Sequence, residues 1–214
     1  MTILGYGVIL KRITVNDIEL IRKWRNSKAI RNKMFFKRYI AKSQQIKWFH
    51  EINNHQNNYF LIFYHDTAVG LINGGAIDWE KNITGNGGIF IWDSNVKDEL
   101  VAIKASILLT DCGFYLGMKK NIIKILKTNF TAISYNTMLG YVKDENFIHP
   151  KLNQYYLTPE MYFPKIAFLR DKIYDNNQIA ITIDSKSMEV THVLLERIKE
   201  NKIEQLSHIK IHYL

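Results

Sequence analysis

The chain contains a single cysteine, Cys112, among its 214 residues. An internal disulfide and a cysteine zinc site are therefore excluded, and this usage fits a reducing cytoplasm. Proline is scarce, with three in the whole chain, and no low-complexity stretch or fixed-period repeat interrupts it. Long uncharged apolar runs are missing too. The longest apolar stretch, Val101 to Met118, carries Lys104 and Asp111 and is too interrupted for a membrane span. Met1 to Gly7 shows no charged leader followed by an apolar core, so no signal peptide is expected and a cytoplasmic location is.

The formal net charge is +9, yet the lysines spread from Lys11 to Lys210. No basic stripe or base-reading motif appears, so nucleic acid is not an expected partner. The charge suits either an anionic ligand, such as a nucleotide or phosphate-rich cofactor, or a lysine-rich composition without specific meaning. No metal is expected. His208 and His212 alternate as on a half-exposed strand, and His50 and His55 have no third ligand nearby in sequence.

What is present is the balance of a globular domain, with 47% apolar and 23% charged residues. Gly7 to Arg12 reads as a strand. Thr14 and Asp17 then cap a helix through Trp24, with a short helical piece over Lys28 to Asn32. Ser43 is read as the cap of another helix carrying Ile46, Phe49 and Ile52. Strands follow at Tyr59–Tyr64, Ala68–Asn73 and Ile89–Trp92, with Thr84 to Gly88 read as a turn. Asp98 to Leu116 is the strongest helix, stopped by Gly117. Asn121–Lys127 is a strand, Ala132–Leu139 a helix stopped by Gly140, and Tyr141–Phe147 and Gln154–Leu157 are closing strands. A helix runs from Pro159 to about Arg170, and Ala180 to Leu214 reads as strand, helix (Val190–Lys199) and strand. Long helices between strands argue for an α/β (α+β) domain on one central sheet.

The stretch Ile91 through Tyr141 resembles the central motifs of GNAT acyltransferases. Asp111-Cys112-Gly113-Phe114 is similar to the family's helix ending, Asn129-Phe130-Thr131-Ala132 to its asparagine-led helix start, and Leu139-Gly140-Tyr141 to its leucine-glycine-aromatic end. The resemblance spans roughly residues 7 to 158. It implies a mixed, mostly antiparallel central sheet flanked by helices, over residues 1–163. Residues 164–214 are then a C-terminal strand-helix-strand extension. That extension can lengthen the sheet, swap into a partner or build a homodimer surface, and these stay open. The resemblance further implies acetyl-CoA as co-substrate, its pyrophosphate held by turn amides and a helix N-terminus. The cofactor contacts it implies are Ile91, Trp92, Lys97, Val101, Ala102, Asn129 and Asn136.

Two departures stand out. Leu100 occupies the place of a usual glycine, and Asp98 and Glu99 put carboxylates near the anion. Asn136 stands where many members carry a tyrosine that protonates the leaving thiolate. Asn136 is a poor acid, and Tyr135 beside it points about 100° away on a helix. The proton can then come from water, from Tyr141 or from no protein group. His50, His65, Asp78 and Asp93 are candidate bases, and no spacing singles one out. Amides near Ile91 and Trp92 are candidate oxyanion donors.

Near the N-terminus, Trp24-Arg25-Asn26, Arg31, Met34-Phe35 and Trp48 resemble an element of acetyltransferases that modify an amino group on a UDP- or dTDP-linked deoxy sugar. There the element lines the acceptor side. The resemblance implies aromatic cover from Trp24, Phe35 and Trp48 and arginine contacts to a diphosphate. The expected activity is acetyl transfer to that amine, within polysaccharide synthesis. The alternatives are protein N-terminal or small-amine acetylation, and a GNAT-like binding protein without catalysis.

Overall fold

A computed structural model of the chain describes residues 1–96, 100–173, 179–184, 193, 196, 197 and 209–213. The C-terminal helix expected over Val190–Lys199 therefore lies largely outside the described residues.

Among the described residues the strands form one ten-stranded sheet at the centre. Strands β1 (Thr2–Gly5), β2 (Val8–Arg12), β3 (Asn58–Tyr64), β4 (Thr67–Asp78) and β5 (Ile83–Ile91) run side by side as an antiparallel meander. β6 (Lys120–Leu126) lies parallel to β5, β8 (Leu152–Leu157) antiparallel to β6, and β7 (Val142–Lys143) closes that edge. At the other edge β9 (Ala180–Ile183) pairs with β1, and β10 (Lys210–Tyr213) lies parallel to β9. The described strands of the C-terminal segment thus lengthen the same sheet.

The apolar run of β3 is buried on both faces, as its composition predicts, because each face carries its own core. On one face α1 (Ile18–Asn26) and α3 (Lys42–Ile52) pack Ile18, Ile21 and Phe49 onto Leu61 and Leu71. On the other, α4 (Val101–Tyr115) and α6 (Pro159–Ile173) pack Ile107, Leu108, Tyr162 and Ile166 with Leu10, Phe60 and Ile62. α2 (Lys28–Arg31) is one turn, and α5 (Phe130–Met138) packs Ala132 and Ile133 onto Ile123, Ile125 and Tyr155.

The Thr14–Asp17 cap forms as read: Thr14 accepts from Asn16 N, and Asp17 accepts from Thr14 N at 2.7 Å. Four local readings change. Ser43 is not a cap. The cap position falls two residues earlier, at Ala41, and Gln44 Oε1 accepts from Ala41 N at 2.8 Å. Thr84 to Gly88 is not a turn but the middle of β5, and the chain reverses instead at Trp79–Asn82. The strand expected over Tyr141–Phe147 shrinks to Val142–Lys143. Thr2–Gly5 forms a strand that the sequence reading left out.

One buried polar node ties the layers. Asp111 on α4 is fully buried and accepts from Tyr6 Oη at 2.7 Å, Tyr162 Oη at 2.9 Å and Arg170 Nη2 at 2.6 Å. Burial outweighs the arginine charge and both phenol donors, and pushes the Asp111 pKa up to about 6.

Candidate active site

β5 and β6 are joined only at Ile83↔Lys120 and Thr84↔Asn121. Beyond that pair they part. β5 stays bound to β4 on its far side, at Gly88↔Asn73 and Ile89↔Ile72, and β6 stays bound to β8. The facing backbone edges therefore have no strand partner in the gap, and an extended ligand is the natural occupant. A cavity of about 870 Å³ fills the gap and runs on beneath α1–α3. That suits an elongated ligand of cofactor size.

The glycine-rich centre of β5 keeps the gap open. A Cβ on Gly87 would lie 3.0 Å from Ile123 Cγ2 across the gap, and one on Gly88 would lie 3.2 Å from Asn73 Oδ1. Glycine here is not a strand breaker. It leaves side-chain volume free.

One end of the gap meets the start of α4. Leu100 caps this helix in the left-handed region, at φ 55° and ψ 21°, and among the described residues no side chain caps its first turn. The glycine of the resembling motif is absent, but the backbone conformation that favours glycine is kept. Leu100 is exposed, so no core packing is lost by this. The strain has a testable size. Leu100→Val, β-branched at positive φ, is expected to lower stability by about 1–2 kcal/mol, while Leu100→Gly holds or raises it. Denaturant midpoints of the two variants check this. Lys97, Asp98 and Glu99 lie outside the described residues.

α5 forms the opposite wall. Asn129 caps it, accepting from Ala132 N at 3.2 Å. Tyr135 Oη donates to Ala102 O at 2.7 Å and pairs with Ser106 Oγ at 2.8 Å, fastening α5 to the first turns of α4. Asn136 Nδ2 donates to Ala132 O at 2.8 Å. Thr84 Oγ1 donates to Asn121 Oδ1 at 2.9 Å where the two strands part.

Of the cofactor-side expectations, Ile91, Ala102, Asn129 and Asn136 line the cavity. Val101 instead faces the core, 1% exposed. Trp92 is turned away: its ring stacks on Trp24 at 5.8 Å and its Nε1 donates to Ala68 O at 2.9 Å. Of the acceptor-side expectations, Arg25, Met34, Phe35 and Trp48 line the cavity. Trp24 is held by its stack on Trp92. Asn26 braces the loop, accepting from Ile40 N at 2.8 Å and donating to Ile40 O at 2.9 Å. Arg31 is half-buried outside the lining. His50, His65, Asp78 and Asp93 also lie off it.

Sequence reading passed over Gly87, Gly88, Ser106, Asn121, Lys33 and Phe36, all of which line the cavity. The mouth beside α2 has a further property. Between Lys28 and Lys42 stand Arg31, Lys33, Lys37 and Arg38, and no Asp or Glu. Phe35 and Phe36 are exposed within it, at 62% and 48%. Arg25 has no ion pair among the described residues, and burial lowers its pKa. This rim is cationic and aromatic. Among the described residues no group of His, Cys, Asp and Glu could hold a metal, and no helix is long and apolar enough to cross a membrane.

No family model and no curated protein matches the chain. Solved structures do. Spermidine N-acetyltransferase from Vibrio cholerae, solved with CoA and spermine, is 16% identical at TM-score 0.63, covering 74% of this chain and 99% of its own. FdhC, described as a nucleotide-linked sugar GNAT, is 19% identical at TM-score 0.66, covering 79% of this chain and 97% of its own. A domain from Methanocaldococcus jannaschii is 20% identical at TM-score 0.61, covering 71% and 97%. The likeness is one of fold: the chain has the architecture of the GNAT N-acetyltransferases, with the mixed, mostly antiparallel sheet and flanking helices that its motifs imply.

Proposed function

We propose that the chain is an acyl-CoA-dependent N-acetyltransferase whose acceptor is the amino group of a nucleotide-linked sugar. The observation that carries this is the two-ended gap between β5 and β6. One end reaches the first-turn amides of α4, which suit a pyrophosphate. The other opens on the cationic, aromatic rim of residues 28–42, which suits a second anionic, ring-bearing molecule. The thioester would lie along the strand edge of β5. The acceptor nitrogen attacks the thioester carbon, a β5 amide donates to the developing oxyanion, and the C–S bond breaks.

The rim also separates acceptors by charge. A polyamine is a polycation, and six basic side chains without a carboxylate repel it. A sugar nucleotide carries its negative charge on the diphosphate, where Arg25 and Lys33 can meet it, while Phe35 and Phe36 offer faces to the base. Acetyl-CoA is therefore expected to support thiol release with nucleotide-linked amino sugars and not with spermidine or peptides. The sugar rate is expected to fall as salt rises. Turnover on spermidine with none on the sugars would sink the acceptor assignment.

A further inference from the structure

Most carboxamides that line the cavity are engaged by the fold. Asn58 Oδ1 accepts from Arg12 Nη1 at 2.8 Å, Asn73 Nδ2 donates to Asn86 O at 2.7 Å, and Asn121, Asn129 and Asn136 make the contacts described above. Gln44 Oε1 accepts from Ala41 N at 2.8 Å. Gln45 differs. It is 4% exposed, yet among the described residues its side chain has no hydrogen-bond partner. Neither of its polar atoms is sealed off, because among the described residues Arg170 Nε alone is both buried and without a partner. The opening left to the Gln45 amide is the cavity that it lines.

Packing gives no reason for an amide at this position. Gln45 stands one turn before Phe49 on the buried face of α3, and Phe49 packs with Ile18, Ile21, Leu61 and Leu71. An apolar side chain would suit that face, and a buried amide without a partner costs stability. The place of Gln45 in the cavity narrows what it meets. Phe35 and Phe36 stand exposed at the mouth, where the rim is cationic, whereas Gln45 is inside. Trp48 follows it by three residues on α3 and meets Tyr59 edge to face at 5.2 Å, so an apolar wall lies beside the amide. A diphosphate only accepts hydrogen bonds, and would leave Oε1 facing an anion. Hydroxyls both donate and accept, so a sugar ring can engage both ends of the amide.

We infer that Gln45 is a specificity-determining residue that reads the ring hydroxyls of the acceptor sugar, one hydroxyl donating to Oε1 and another accepting from Nε2. The inference rests on the acceptor reading above. In the free chain the amide is the cost of this selectivity, and the bound sugar supplies the missing partners. A sugar lacking the hydroxyl leaves the amide buried and unpaired, which is the physical basis for rejecting it.

The test sets Gln45→Met and Gln45→Leu beside the unaltered chain, with acetyl-CoA, a nucleotide-linked amino sugar and analogues of it that each lack one ring hydroxyl. Gln45→Met is expected to raise the acceptor KM by ~30-fold with the coenzyme A Kd unchanged, the size of two lost hydrogen bonds. Its denaturant midpoint is expected to hold or rise, because the unpaired amide is gone. At least one analogue is expected to lose ~10-fold on the unaltered chain and nothing on Gln45→Met, a coupling that only contact gives. An unchanged acceptor KM in Gln45→Met, or analogue losses equal on both chains, overturns the inference. So do midpoints lowered in both variants with the analogue losses kept, which would place the amide in the fold alone. An unaltered chain that turns over no nucleotide-linked sugar sinks the acceptor reading and this assignment with it. Turnover with equal losses sinks the assignment alone.

Discussion

Gly87→Val is expected to weaken coenzyme A binding by ~100-fold while leaving the fold intact, a loss of about 2.8 kcal/mol. Gly87 lies within β5 on the edge of the gap, and even a Cβ there would approach Ile123 Cγ2 to 3.0 Å. Two further methyl groups can go only toward Ile123 or into the gap. Ile123 cannot retreat, because it is 6% exposed and packed with Ile125 and Tyr155. The added volume therefore occupies the ligand's path. The strand itself tolerates the change, since valine favours β conformation and β5 keeps its pairing with β4. Calorimetric titration with coenzyme A gives the affinity and far-ultraviolet circular dichroism the fold. Unchanged affinity in a folded variant would mean that the ligand does not use the gap.

The largest stability effect is expected at Asp111. Asp111→Ala should cost about 3–5 kcal/mol and lower Tm by about 10 °C. Three donors converge on this carboxylate, at 2.7, 2.9 and 2.6 Å. Removing it strands the Tyr6 hydroxyl without an acceptor, leaves the Tyr162 hydroxyl only the longer contact to Ile107 O at 3.3 Å, and leaves Arg170 without its counter-charge. It also unfastens α6 and the β1–β2 turn from α4.

The pH dependence carries a sign that a simple cavity would not. The folded pKa of Asp111 is raised to about 6, above the ordinary aspartate value. Between the two, the folded chain holds more protons than the unfolded chain. The contribution is therefore fully present below the unfolded pKa and is lost as pH rises through about 6. The stability gap between wild type and Asp111→Ala is expected to be about 1 kcal/mol wider at pH 5 than at pH 7.5. A gap that narrows on acidification would reverse the assignment.

Much of the fold was legible where local chemistry decides it. The wide apolar wrap of Val101 to Tyr115 is a helix lying on a sheet, and Thr14 and Asp17 form the expected cap. Gly117 and Gly140 end their helices at φ 84° and 99°, which glycine alone adopts freely. The failures share a cause, which is that distant partners decide. Thr84 to Gly88 has the composition of a turn, yet β4 holds it extended and the missing side chains make the gap. Thr2–Gly5 is too short to announce itself. It is a strand because β2 flanks one side and Ala180–Ile183, from far along the chain, the other. The Asp111 node joins residues 6, 111, 162 and 170, and no spacing foretells it.

The site shows the same division. Ala102, Asn129 and Asn136 lie on short motifs, and the motifs put them on the cavity wall. Trp24 and Trp92 read as a ligand platform and a cofactor contact from sequence, and in the structure one face of each ring stacks on the other. Leu100 departs from the glycine usual at its place, yet its backbone takes the left-handed conformation that glycine favours.

The most direct test of the account is a backbone amide NMR titration of the chain with coenzyme A. The account predicts saturable shifts at Gly87, Gly88, Ile89, Ala102, Asn129 and Ile123, on both walls of the gap and at the start of α4. No saturable shift, or shifts confined to surfaces away from β5 and β6, would contradict it.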